Sequence, residues 1–144
     1  MNADFLQTIA ADCRQPDGGV RYTRLASVAN RKQVAFEVIA SSDIHVLLTT
    51  AHTKEHIEVV FGAWIESEHE GSAMRLGAQG RQLAYKKGAH VQGGGEKSVF
   101  WLDWTQSNLL RAGTGPAVTK ATELLRSSLS CLKQGKKALP FEEM

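Results

Sequence analysis

From Gln33 to about Gly113, apolar side chains recur at alternate positions in runs separated by turn-forming residues. A period of two marks extended chain with successive side chains on opposite faces, so each run reads as a strand with one face on a core. Val34, Phe36, Val38 and Ala40 alternate with Ala35, Glu37 and Ile39; Ile57, Val59, Phe61, Ala63 and Ile65 alternate with Glu58, Val60 and Trp64. Residues 44–49, 72–76, 81–85, 98–104 and 108–112 read as further strands. Asp43, His52-Thr53-Lys54, Glu70-Gly71, Ala78-Gln79-Gly80, Gly93-Gly94-Gly95 and Gln106-Ser107 supply the breaks. Short strands in close succession with tight turns predict a mainly β fold, an antiparallel sandwich or barrel.

The ends follow other rules. Residues 20–25 fit one more strand after the Pro16-Asp17-Gly18-Gly19 turn. Val118, Ala121, Leu124, Leu125, Leu129 and Leu132 fall at helical spacing, opened by Pro116 and closed by Gly135, with Lys133 near the end where a helix dipole favours a cation. This predicts an amphipathic helix over 117–132 packed on one edge of the sheet, with a homodimer contact as its second use. No repeat, low-complexity tract or linker divides residues 1–144, so a single domain is expected. A chain of 144 residues buries roughly 70% of its unfolded surface, enough for a core without staples.

Charge narrows the partners. Seventeen basic residues against fifteen acidic give a net charge of +2, and the basic ones are scattered apart from Lys86-Lys87 and Lys133, Lys136 and Lys137. Nucleic-acid binding needs a concentrated basic stripe and is not expected. No apolar stretch approaches the roughly 20 residues of a membrane span, and no secretory signal is visible in the first thirty residues, which suits a cytoplasmic protein or a mature secreted one. Cys13 and Cys131 stand near opposite ends and form neither a redox pair nor a zinc site; free thiols, an end-to-end disulfide and an intermolecular one all stay open.

No catalytic constellation is apparent. The G-x-S-x-G elbow is absent, and His45 reads as a satisfied sheet histidine while His52, His56 and His69 read as solvated. Gly93-Gly94-Gly95-Glu96-Lys97-Ser98 fails as a phosphate loop, because Glu96 replaces the required glycine and a strand follows where a helix is needed. No G-x-G-x-x-G exists for a dinucleotide or adenosyl-methionine.

Binding chemistry is better represented. Glu66, Glu68 and Glu70 point the same way if their segment is extended, a crowding that a cation such as Ca2+ would relieve; the alternative is a solvated hairpin edge. Gln15-Pro16-Asp17 is the tripeptide with which calcium-dependent lectins select galactose, and it is also a simple turn; Asp17 joins the three glutamates as a candidate metal ligand. In Phe100-Trp101-Leu102-Asp103-Trp104, alternation puts Trp101 and Asp103 on one face, where a ring beside a carboxylate suits a sugar's C–H face and hydroxyls. The rival reading is that these tryptophans are core.

The succession Phe36-Glu37-Val38-Ile39-Ala40-Ser41-Ser42-Asp43-Ile44-His45-Val46-Leu47-Leu48, Ile57-Glu58-Val59-Val60-Phe61-Gly62-Ala63-Trp64, Ser72-Ala73-Met74-Arg75, Phe100-Trp101-Leu102-Asp103-Trp104 and Leu110-Arg111-Ala112-Gly113 resembles the farnesoic acid O-methyltransferase-like domain over about 33–116. The resemblance implies an antiparallel β-sandwich used as a module in extracellular, lectin-like proteins. Phe61 and Ala63 depart from its pattern, as do residues 117–144.

These readings converge on a non-catalytic carbohydrate-binding domain, galactose-type and calcium-assisted, forming a homo-oligomer and needing no cofactor to fold. Trp64, Glu66, Glu68, Arg75, Trp101 and Asp103 are the expected ligand contacts, with Gln15 and Asp17 as an independent second set and Glu66, Glu68, Glu70 and Asp17 as ion ligands. The alternatives are a protein-interaction module working through a strand edge or the 117–132 helix, and a farnesoic acid methyltransferase or lipid binder.

Overall fold

A computed structural model describes residues 6–10, 25–50, 56–77, 80–129, 133–134, 137–138 and 141–144. Gln15, Asp17, Cys13 and Cys131 lie outside them, as does most of the 20–25 strand. The strands are β1 (Leu6–Ala10), β2 (Gln33–Ile39), β3 (Ile44–Thr50), β4 (His56–Ala63), β5 (Gly71–Leu76), β6 (Arg81–Lys87), β7 (Lys97–Asp103), β8 (Leu109–Thr114), β9 (Glu123–Ser128), β10 (Lys133–Gln134), β11 (Lys137–Ala138) and β12 (Phe141–Glu143). They form one sheet in the order β1-β2-β7-β8-β9, a second in the order β12-β3-β4-β5-β6, and a β10-β11 ribbon. All pairings are antiparallel except β1 with β2.

The alternation read from the sequence sets which side chains meet. Val34, Phe36, Val38, Phe100, Leu102, Leu110 and Ala112 of the first sheet and Ile44, Val46, Leu48, Ile57, Val59, Phe61 and Met74 of the second belong to one buried core. Phe61 stacks on Phe100 across the sheets at 4.0 Å between centroids, and Phe36 meets Phe61 edge-on at 6.2 Å. Such ring pairs add about 0.5–1.5 kcal/mol each beyond area burial. The two sheets therefore pack face to face, as in a sandwich.

The expected helix is corrected over its described part. Residues 123–128 are strand β9, paired with β8 from Leu109↔Ser128 to Gly113↔Glu123. Leu125 and Leu129 are buried while Arg126 and Ser128 are exposed, so a period of two holds here and the helical spacing of the leucines is coincidental. The preceding turn explains the choice. Thr119 Oγ1 accepts from the Thr122 N–H at 3.2 Å, Thr122 O accepts from Thr114 N at 3.1 Å, and Thr122 Oγ1 accepts the buried Trp101 indole N–H at 3.1 Å. A helix starting at 117 would forfeit these bonds and leave β8 an unpaired edge. No helix among the described residues is long and apolar enough to cross a membrane.

Candidate functional site

The second sheet carries a bulge that creates its most unusual surface. Pairing of β4 with β5 shifts register between Val60 and Ala63, and Gly62 occupies the shift at φ +66°. Its N–H donates to Ser72 Oγ at 3.2 Å, its carbonyl accepts from Asp43 N at 3.0 Å, and a Cβ added there would lie 2.1 Å from Val91 Cγ2. Only glycine satisfies both the backbone angle and the space. Two residues on, Trp64 is also held in the left-handed region at φ +53°, a conformation costly for a bulky L-residue and one that concentrates at functional sites. Bulges re-aim side chains, and this one delivers the Trp64 ring to the outer face of the sheet, where it stays 38% exposed.

There the ring has two partners. Tyr85 of β6 lies 6.3 Å from it between centroids, inclined at 56°, and is equally exposed. The Arg75 guanidinium carbon of β5 lies 5.3 Å from the Trp64 centroid, within cation–π range. Tyr85 is fixed in turn, for its hydroxyl donates to His69 O at 2.8 Å, and Gly71 lets the ring close in, since a Cβ there would meet Tyr85 Cε2 at 2.8 Å. Arg75 is anchored from below. Its Nη1 donates to Oε1 of Glu58 at 3.4 Å, and the other carboxylate oxygen of Glu58 lies 3.1 Å from His45 Nδ1. Glu58 is fully buried, so its charge requires this compensation. Exposed aromatic faces, guanidinium donors and a buried anchor together suit a ligand with an apolar face and a fringe of hydroxyl oxygens.

The predicted residues divide. Trp64 and Arg75 meet on this platform. Glu66, Glu68 and Glu70 do not converge, because residues 64–69 form turns where an extended strand was expected: Glu66 N donates to Glu70 Oε1 at 2.8 Å, and Glu68 pairs loosely with His69 at 3.4 Å. Among the described residues no group of three or more His, Cys, Asp or Glu is placed to hold a metal ion, which corrects the expected glutamate cluster. Trp101 and Asp103 lie on the outer face of the opposite sheet and are buried, so the expected open ring beside a free carboxylate is corrected too. Trp101 donates its N–H to Thr114 O at 3.0 Å and its ring presses on Gly113, while Asp103 accepts two bonds from Arg111, at 2.7 and 3.0 Å. Both are committed to structure.

Glu58, Tyr85 and His90 were not anticipated as parts of a site. A single carboxylate inside the apolar run Ile57-Val59-Val60-Phe61 was the available signal for Glu58, since a buried charge demands a cationic partner. His90 gave no local signal: it meets Ser72 Oγ at 2.6 Å from eighteen residues away. Ser72 is fully buried, so this Ser–His contact lies inside the protein, where it satisfies a buried hydroxyl. Burial first and the Lys86 ammonium second push the His90 pKa below its ordinary value of 6.5, against an opposing pull from Glu70.

Two face-to-face antiparallel sheets with a bulge-built aromatic surface define the class as a sandwich-like β domain. Within it the chain belongs to the farnesoic acid O-methyltransferase family, whose sequence model matches residues 17–128. No curated protein and no solved structure matches the chain.

Proposed function

We propose that the domain binds carbohydrate without transforming it, on the platform of Trp64, Tyr85 and Arg75. The observation that carries this reading is the cost borne at Trp64: an exposed tryptophan in a left-handed conformation, held there by a bulge and faced by a second ring and a guanidinium. A pyranose lays its C–H face on the ring and takes hydrogen bonds from Arg75. The glutamate turn does not converge, so binding is expected to survive chelation, and a galactose preference, resting on Gln15 and Asp17 outside the described residues, does not enter. The fully buried Ser72 supports the non-catalytic part of the reading.

A glycan array run with calcium and with chelator tests it. Selective binding that withstands chelator and disappears in Trp64→Ala, while Trp101→Phe retains it, supports the platform. A blank array in both arms, with adenosyl-methionine-dependent methylation of farnesoic acid above background, overturns it in favour of an enzyme.

One observation favours a second reading. Ile65, beside Trp64, is 46% exposed, and an apolar pair of this kind also suits a protein contact or self-association. Sedimentation of wild type and Ile65→Glu across concentrations separates the two: a dimer lost in the variant supports the protein contact.

A further inference from the structure

The segment after β6 grips the bulge that holds Trp64. Gly88 N donates to Glu70 O at 2.9 Å, closing the segment onto the β4–β5 turn. Val91 packs on the Cα of Gly62, and His90 meets Ser72, whose hydroxyl oxygen also accepts the Gly62 N–H. The hydroxyl oxygen could accept a second bond, but Ser72 is fully buried and its hydrogen has His90 Nδ1 as its acceptor, so the serine donates to Nδ1 and the imidazole proton lies on Nε2. The chain Gly62–Ser72–His90 is thus complete only with a neutral imidazole.

We propose that His90 is a positioning residue for Trp64, acting through Ser72 and Gly62, and that a proton on its Nδ1 releases the ring. Once Nδ1 carries a proton, Ser72 can turn to accept from it, but the serine's own hydrogen then loses its acceptor in a fully buried place. A buried donor without a partner is costly, and the cost is relieved if the 88–92 segment withdraws and Gly62 loses its fixed geometry. The charged groups facing the imidazole are Lys86 of β6, which opposes the proton, and Glu70 of the β4–β5 turn, which favours it; burial adds to the opposition. Trp64 is therefore held in place at neutral pH and freed under acidic conditions. For ligand release this rests on the carbohydrate reading, although the positioning itself does not.

The test is fluorine NMR of the full chain labelled with 5-fluorotryptophan, titrated from pH 8 to pH 5 without sugar, with Trp64→Phe assigning the resonance. The expected result is a Trp64 shift with its midpoint below the ordinary histidine value of 6.5, while the buried Trp101 and Trp104 resonances stay fixed and report an intact core. His90→Asn keeps an acceptor beside Ser72 but does not titrate, so its Trp64 resonance should hold the neutral-pH position throughout. Ser72→Ala cuts the chain at its middle and should also abolish the titration. A Trp64 resonance that does not move in the wild type overturns the proposal, and so does one that titrates unchanged in either variant. Since no sugar is present, a blank glycan array leaves this outcome untouched.

Discussion

Arg75 joins a buried charge to an exposed ring: its Nη1 lies 3.4 Å from Oε1 of Glu58 while its guanidinium carbon lies 5.3 Å from the Trp64 centroid. Glu58 is fully buried, so removing Arg75 takes away the guanidinium that compensates its charge. Arg75→Ala should lower unfolding stability by roughly 3 kcal/mol, in the range for breaking a buried pair from one side. Urea denaturation monitored by circular dichroism measures it, and a loss under about 1 kcal/mol would show that the pair behaves as a surface ion pair.

Trp64 opposes stability to binding. At φ +53° a glycine relieves the backbone, whereas an alanine does not, by about 1–2 kcal/mol. Trp64→Gly should therefore be the more stable of the two variants in thermal melts, with both losing sugar binding alike.

Gly113 lies under the Trp101 ring, and a Cβ there would sit 2.3 Å from the indole Cζ2 and 2.4 Å from Thr122 O. Gly113→Ala should destabilise by about 1–3 kcal/mol, as overpacking does, and should leave platform binding intact because it acts on the opposite sheet. Melting temperature and glycan affinity, measured on one preparation, check both halves.

Acidification should weaken the fold in two steps. The His90 pKa is held below 6.5, so the unfolded chain takes up its proton first as pH falls. The His90 contribution is full above 6.5 and is lost as pH descends from there through the folded-state pKa. Glu123 is held below its ordinary 4.5, first by its hydrogen bond to Arg126 and further by Arg111, so its contribution is full above 4.5 and is lost at lower pH. Unfolding free energy measured against pH should lose the upper step in His90→Asn and the lower one in Glu123→Gln.

What the sequence disclosed depends on whether the information was local. Strands β2 to β8 followed from alternation, because each has a single core face, and His45 proved the satisfied sheet histidine its position suggested, bonded to Glu58. β9 was obscured because Leu125 and Leu129, four positions apart, fit a helical stripe as well as one face of a strand, and the bonds that decide between them come from Trp101 and Thr114. Trp64 and Arg75, both named from the sequence, are brought together in space, with the guanidinium 5.3 Å from the ring centroid. Trp101 and Asp103 were named as well, yet burial and the partners Thr122 and Arg111 assigned them to structure. A sequence shows which residues share a face and stays silent on whether that face is covered.

The closing strand β12 has a consequence for any attempt to transplant the domain. Phe141 is buried and meets Trp104 edge-on at 5.3 Å, β12 pairs with β3, and Met144 exchanges backbone bonds with Leu25 and Ala26. β12 and Met144 lie beyond residue 128, where the family match ends. A fragment trimmed to that homologous stretch would expose the Trp104 side of its core and an open β3 edge, so the unit of homology is smaller than the unit of folding.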